Sequence, residues 1–203
     1  MNHTWHDYQN FLNHHFPNLT LDADLFHSWP IGLRFELGGD LKVEDGRLQQ
    51  AAARASEIFE AAFADEPNVL LLARRYDPDD FFWSLVQTSG RLEDDLQIRR
   101  NPSLDATSND NAVYFALRIP RDRLDHRTLF TAIANTDHVR EPHLAGRVFL
   151  INTATPLIFH MYDDRGCDLI AAQRESLVLL YRRFNAWLLD YDRPQMDASF
   201  SNP

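Results

Sequence analysis

Residues 29–39 read WPIGLRFELGG. Ile31, Leu33, Phe35 and Leu37 alternate with Arg34 and Glu36, the period-two pattern of a β-strand with one apolar face, and Gly38 and Gly39 close it. Immediately downstream the period changes. From Asp45, the residues Leu48, Ala51, Ala52, Ala55, Ile58, Phe59 and Ala62 recur at helical spacing, predicting a helix to about Ala64. The apolar run from Asn68 to Tyr76 then has the length of a strand buried on both faces. A strand, helix, strand crossover is expected, which would set the two strands parallel.

Working outward, Thr4 is placed to cap a first helix with Trp5, Tyr8, Phe11, Leu12 and His15 on one face, ended by Pro17. Asp79 or Asp80 can cap a short helix from Phe81 to Val86 that stops at Ser89 and Gly90. Strands are expected at Asp95–Arg100 and Ala112–Ile119, around a polar surface loop. Asp125 caps a helix carrying Leu129, Phe130, Ile133 and Ala134. Strands follow at Arg147–Ile151 and Leu157–Tyr162, and Cys167–Ala171 pairs back as a hairpin whose turn, Asp163–Gly166, uses the φ freedom of Gly166. The final helix, Gln173–Tyr191, carries the stripe Leu177, Leu180, Tyr181, Phe184, Trp187, Leu188 and Tyr191. Pro194 closes it, and residues 194–203 should fray for want of apolar surface. The expected fold is α+β: one domain over 1–203, a mixed sheet of about five to seven strands with helices packed on it, and a C-terminal amphipathic helix.

Composition narrows the function. The formal net charge is −10, with the acid excess mostly before residue 100, which disfavours nucleic acid; the acidic surface serves solubility first, and can also speed association with a basic partner. No apolar run approaches the roughly 20 residues of a membrane span, and the N-terminus lacks a signal pattern, so cytoplasmic residence without a membrane role is expected. Cys167 is the lone cysteine, excluding an intramolecular disulfide and any zinc site built from several thiolates of this chain.

No phosphate-cradling GxxxxGK, dinucleotide GxGxxG, GxSxG elbow or HExxH occurs. His3, His6, His14 and His15 crowd the N-terminus, but His3 precedes the expected cap; His138, Glu141 and His143 flank Pro142 and belong to a loop. Neither group is expected to bind metal, and no cofactor is expected. Arg34 and Glu36 share the polar face of the first strand, where pairing with neighbouring strands is the simplest role. In YDDRGCD, Asp163, Asp164, Arg165 and Asp168 gather at a turn, either as a clamp on local groups or as paired carboxylates able to divide acid and base roles.

Two places carry a family resemblance: WPIGLRFELGG followed by RASEIFEAAF, and IFHMYDDRGCDLIA followed by a helix ending in AWLLDY. In these pieces and their order, the chain resembles the bacterial family catalogued as domain of unknown function 3885, over about 16–191. The resemblance implies no known reaction. Members of this kind look like immunity or accessory proteins encoded beside bacterial polymorphic toxins, so the leading expectation is a non-enzymatic immunity protein that covers a cognate toxin. Asp77, Asp79, Asp80, Glu93, Asp94 and Asp95 are its expected partner contacts. Two alternatives stay open. One is a hydrolase-type enzyme with Arg34, Glu36, Asp163, Asp164 and Arg165 in one cleft. The other is a homo-oligomeric scaffold using Trp5, Trp29, Trp83 and Trp187.

Overall fold

The crossover predicted around the first strand is present, but three strands lie between its ends. The computed structural model describes residues 3–21, 24–40, 43–75, 97–100, 113–138, 140–144 and 146–201. Strand β1 (Gly32–Glu36) is followed in the chain by the 19-residue helix Glu44–Ala62 and then β2 (Asn68–Arg75). The remaining strands are β3 (Gln97–Arg100), β4 (Val113–Pro120), β5 (Arg147–Asn152), β6 (Leu157–Met161) and β7 (Gly166–Ala171). Their order in the sheet is β1-β7-β6-β5-β2-β4-β3. Every pairing is antiparallel, so the sheet is not mixed; β1 and β2 do run parallel, as the crossover implied, but they are separated by β7, β6 and β5 and do not pair. The β5–β6–β7 meander fills the gap, because hairpins of adjacent short strands satisfy their backbone groups with the least loop.

Both faces of this sheet are covered, which explains why its central strands read as unbroken apolar runs. Among the described residues the helices are α1 (His3–His15), α2 (Leu25–Ser28), α3 (Glu44–Ala62), α4 (His126–Ala134), α5 (Glu175–Arg183) and α6 (Arg193–Phe200). On one face Leu71, Leu150, Phe159 and Leu169 join Ile58, Phe59 and Phe63 at α3, Phe130 and Ile133 of α4, and Leu177 of α5. On the other, Leu70, Leu72, Phe149, Ile151, Ile158 and Ile170 meet Trp5, Tyr8, Phe11 and Leu12 of α1 and Leu25 of α2. As expected, Asp125 caps α4, its carboxylate accepting from Thr128 N at 3.1 Å. Thr4 lies inside α1 and is buried, so the helix begins earlier than its capping-type side chain suggested. The short helix expected at Phe81–Val86 lies outside the described residues.

The C-terminal region departs most from the periodic reading. The stripe does not form one helix to Tyr191: α5 stops at Arg183, and a 3₁₀ turn at Asn185–Trp187 follows. The extended chain then runs beside β1, where Leu188 bridges Phe35 and Leu189 N donates to Arg34 O at 2.9 Å. The reason is the open edge of β1, whose backbone groups need partners that a continuing helix could not supply. Beyond it, residues 193–200 form α6 rather than a frayed tail. Pro194 sits in its first turn, where the missing N–H costs nothing, and Met196 and Phe200, four apart, are both buried. Phe200 stacks on Tyr181 at 5.4 Å, and the Tyr181 hydroxyl donates to Asp197 Oδ1 at 2.6 Å.

Gly39 adopts φ +58, the left-handed conformation its position in the turn requires. Gly166 has no such φ; its value lies in close approach. A Cβ there would fall 2.1 Å from Tyr162 Oη and 2.6 Å from Phe35 O, and the latter is backbone. Gly166→Ala should therefore destabilise the fold by roughly 1–3 kcal/mol, read as a lowered urea midpoint with unchanged slope. Phe200→Ala should cost about 3 kcal/mol in the same assay, where a frayed tail would give no change.

Candidate functional site

The polar face of β1 is built around Arg34. Register places Arg34 opposite Asp168 of β7, and Asp168 opposite His160 of β6, so the three form a row on the face that carries α1 and α2. Asp168 is fully buried and takes both ends of the Arg34 fork, with Nε to Oδ1 at 2.7 Å and Nη2 to Oδ2 at 2.9 Å. Its Oδ2 also accepts from the Phe26 backbone N–H at 3.1 Å, which ties α2 to the sheet. Asp24 Oδ1 lies 2.5 Å from Arg34 Nη2, and Asp192 Oδ2 lies 3.5 Å from Nη1. His27 bridges the same two aspartates, Nδ1 to Asp24 at 2.9 Å and Nε2 to Asp192 at 3.5 Å. The guanidinium lies over the Phe26 ring, 5.1 Å from its centroid.

These contacts fix the charges. Burial works against the Arg34 cation, but the Asp168 hydrogen bond and charge outweigh it and hold the group charged at every accessible pH. Asp24 is opposed by desolvation, yet hydrogen bonds from His27 and Arg34 carry its carboxyl below the usual aspartate range. Burial raises the Tyr162 phenol, with the Asp168 charge adding to it, and burial with the same charge keeps the Cys167 thiol protonated. The lone cysteine is thus an inert core residue.

The turn residues do not join this cluster. Asp163 accepts from the Arg165 backbone N–H at 2.7 Å and pairs with its guanidinium, closing the turn locally. Asp164 turns toward α3, with Arg47 Nε 2.8 Å from Oδ2 and His138 Nε2 3.5 Å from Oδ1. Glu36 is exposed. The five residues named for a hydrolase are therefore divided among Arg34's network, a self-contained turn and the α3 side, and share no cleft. Asp24, His27, Asp192, Arg47 and His138 were missed as partners; the one legible signal was an aspartate, Asp168, within the otherwise apolar strand GCDLIA. Among the described residues no three His, Cys, Asp and Glu side chains are placed to hold a metal ion. His143 pairs with Glu141 at 3.0 Å, and His138 faces Asp164 and Glu44. Asp77, Asp79, Asp80, Glu93, Asp94 and Asp95 lie outside the described residues, as does Trp83; Trp5 is buried, while Trp29 and Trp187 are partly so.

An open groove lies between α3 and α4, with a volume of about 740 Å³. Leu48, Ala52 and Ala53 contribute apolar and small surface. Asp45, Glu57, Glu60 and Glu141 provide carboxylates, and Arg127 and Arg140 cations, each paired: Arg127 with Glu60 and Arg140 with Glu44 and Asp45. The hydroxyls lining or flanking it are committed to their own helices, Ser56 Oγ donating to Ala52 O and Thr131 Oγ1 to Arg127 O. The groove thus presents net acidity and no activated nucleophile among its described residues.

The profile of the family described as Domain of unknown function (DUF3885) matches residues 8–192. The chain belongs to this family. The DUF3885 match spans Asp24, His27, Arg34, Asp168 and Asp192, the whole Arg34 network, and stops before α6. A curated relative, the "Uncharacterized protein YnaE" of Bacillus subtilis (strain 168), is 24% identical over 207 residues, covering 89% of this chain and 96% of that protein. No solved structure matches the chain. No helix among the described residues is long and apolar enough to cross a membrane.

Asp168→Ala should destabilise the protein by about 3–5 kcal/mol, because it leaves the Arg34 cation buried without its main partner; chemical denaturation measures it. Asp24 makes a pH-dependent contribution. Its folded pKa lies below the ordinary 3.8, so its stabilisation is complete above that pH and is lost as the pH falls through the folded value. Asp24→Asn should accordingly flatten the acid limb of stability against pH below 3.8 while leaving the slope at neutral pH unchanged.

Proposed function

We propose that this protein is a non-enzymatic binding protein of the immunity type, acting in the bacterial cytoplasm by covering the working surface of a cognate protein toxin. The observation that carries the reading is the contrast between closed and open polar groups. Of the residues singled out by their spacing, Arg34, Asp163, Asp164 and Arg165 are consumed by ion pairs within the fold and Glu36 stands exposed apart from them, whereas the α3–α4 groove is open and acidic at its rim. A net charge of −10 favours encounter with a basic surface, such as the cleft of an enzyme that acts on a polyanion. The groove's volume and its small-residue floor suit an inserted side chain or loop of the partner. Asp77, Asp79, Asp80, Glu93, Asp94 and Asp95 lie outside the described residues and are kept as contacts on the strength of their charge alone.

The test is affinity purification of the tagged chain from its native host, followed by co-expression with the recovered protein in a growth assay. One stoichiometric partner that is toxic alone and harmless with this chain is expected. Glu57→Arg together with Glu60→Arg should then weaken the complex by about tenfold or more, with little change in melting temperature because both side chains are exposed or nearly so. Growth arrest that persists despite co-expression would overturn the reading.

A further inference from the structure

A second surface has the opposite character. Arg54 of α3 lies over the ring of Trp187, 5.1 Å from its centroid. Trp187 stacks on Phe184 at 5.1 Å, and Arg183 lies over Phe184 at 4.9 Å. The result is a ladder, arginine, tryptophan, phenylalanine, arginine, running from α3 to the end of α5. Arg54 is anchored by donating from Nη1 to Glu36 O at 3.1 Å and Leu37 O at 3.2 Å, so its position over the indole is set by the end of β1. On the outer face of α5, Leu179 is 75% exposed, one turn before Arg182 and Arg183. Glu175, a further turn back, is the only carboxylate on that helix and marks the far end of the patch.

The charges of this surface are uncompensated. Neither Arg54, Arg182 nor Arg183 has a carboxylate within ion-pair distance among the described residues, although the chain carries 30 acidic against 20 basic side chains. By contrast Arg34, Arg47, Arg127, Arg140, Arg165 and Arg193 are all paired. An exposed leucine one turn from Arg182 and Arg183, with Arg183 leading through Phe184 to the half-buried Trp187, matches the composition of an interface centre more than that of a solvated rim. The indole already carries Arg54 over its ring and Phe184 stacked on it.

We propose that this patch docks a carboxylate-rich segment of another protein, one that sets an aliphatic or aromatic side chain against Leu179 and Trp187 while its acidic groups meet Arg182, Arg183 and Arg54. Charge complementarity selects the partner: the free cations require anions, and the apolar centre requires a side chain that a bare polyanion lacks. The inference is independent of the toxin reading, since it concerns a different face and the opposite sign of partner.

The experiment uses the full chain labelled with ¹⁵N, its Trp187 indole N–H resonance identified by its loss in Trp187→Phe. The probe is a short synthetic peptide of glutamate pairs alternating with leucine and phenylalanine. A saturable shift of the Trp187 signal is expected, weakened about tenfold by Arg182→Glu with Arg183→Glu, and reduced by Leu179→Ser. All three substitutions are on exposed positions, and an unchanged spectrum elsewhere confirms the fold. The proposal is overturned if the signal does not move, if a peptide with lysine in place of glutamate shifts it equally, or if charge reversal leaves binding intact. Binding to anionic lipid vesicles without binding to the peptide overturns it as well.

Discussion

The bidentate pair between Arg34 and Asp168 is the constraint on which the arrangement of this end of the molecule depends. Asp168 has no exposure, and an aspartate removed from water is costly unless its lone pairs are filled. Three donors fill them: Nε and Nη2 of Arg34 and the N–H of Phe26. Meeting that requirement places β1 at the edge of the sheet beside β7, and holds the short helix α2 over their polar face. What remains of the Arg34 fork reaches Asp24 and Asp192, so the loop before α2 and the entry to α6 are drawn to the same point. A hydrophobic pair of equal volume could supply as much stability, but not this choice of neighbours.

The same edge strand accounts for the path of the C-terminus. The apolar stripe from Leu177 to Tyr191 has helical spacing throughout, and nothing local in the sequence calls for a break after Arg183. The break satisfies a distant need: Arg34 O takes the N–H of Leu189, and the Arg34 N–H faces Met196 Sδ at 3.3 Å. Periodicity reports which side of a segment is buried, not which backbone groups elsewhere lack partners. That is why the strands and the helices α3 and α4, whose partners are their neighbours in the core, were legible, while the 3₁₀ turn, the bridge at Leu188 and α6 were not.

Polar partners were legible only where they were local. The clamp of Arg165 on Asp163 is two residues long and could be read from YDDRGCD. Arg34 and Asp168 are 134 residues apart and Arg34 and Asp192 158 apart, and no single-sequence pattern links such positions. Asp168 was placed within an apolar strand, where an acid must be paired, but the identity of its partner needs the register of β1 against β7. The buried Glu66 makes the same point. Its Oε2 accepts from the N–H groups of Thr153 and Ala154 at 2.6 and 3.0 Å and its Oε1 from Asn68, tying the start of β2 to the β5–β6 turn.

Helix α3 connects the two surfaces of opposite sign. Arg47, Gln50 and Arg54, spaced three and four apart, lie along one of its faces and grip the end of β1 and the following turn: Arg47 meets Asp164, Gln50 donates to Leu37 O and Gly38 O, and Arg54 holds Glu36 O and Leu37 O. Another face, through Asp45, Gln49, Ala53 and Glu57, opens on the groove. Because the gripping face is bound to backbone carbonyls and a buried carboxylate, the helix cannot roll without losing several hydrogen bonds at once. Acidic groove and cationic ladder are consequently presented in a set relation by one rigid element, so both surfaces are preformed and neither has to be ordered before it can make a contact.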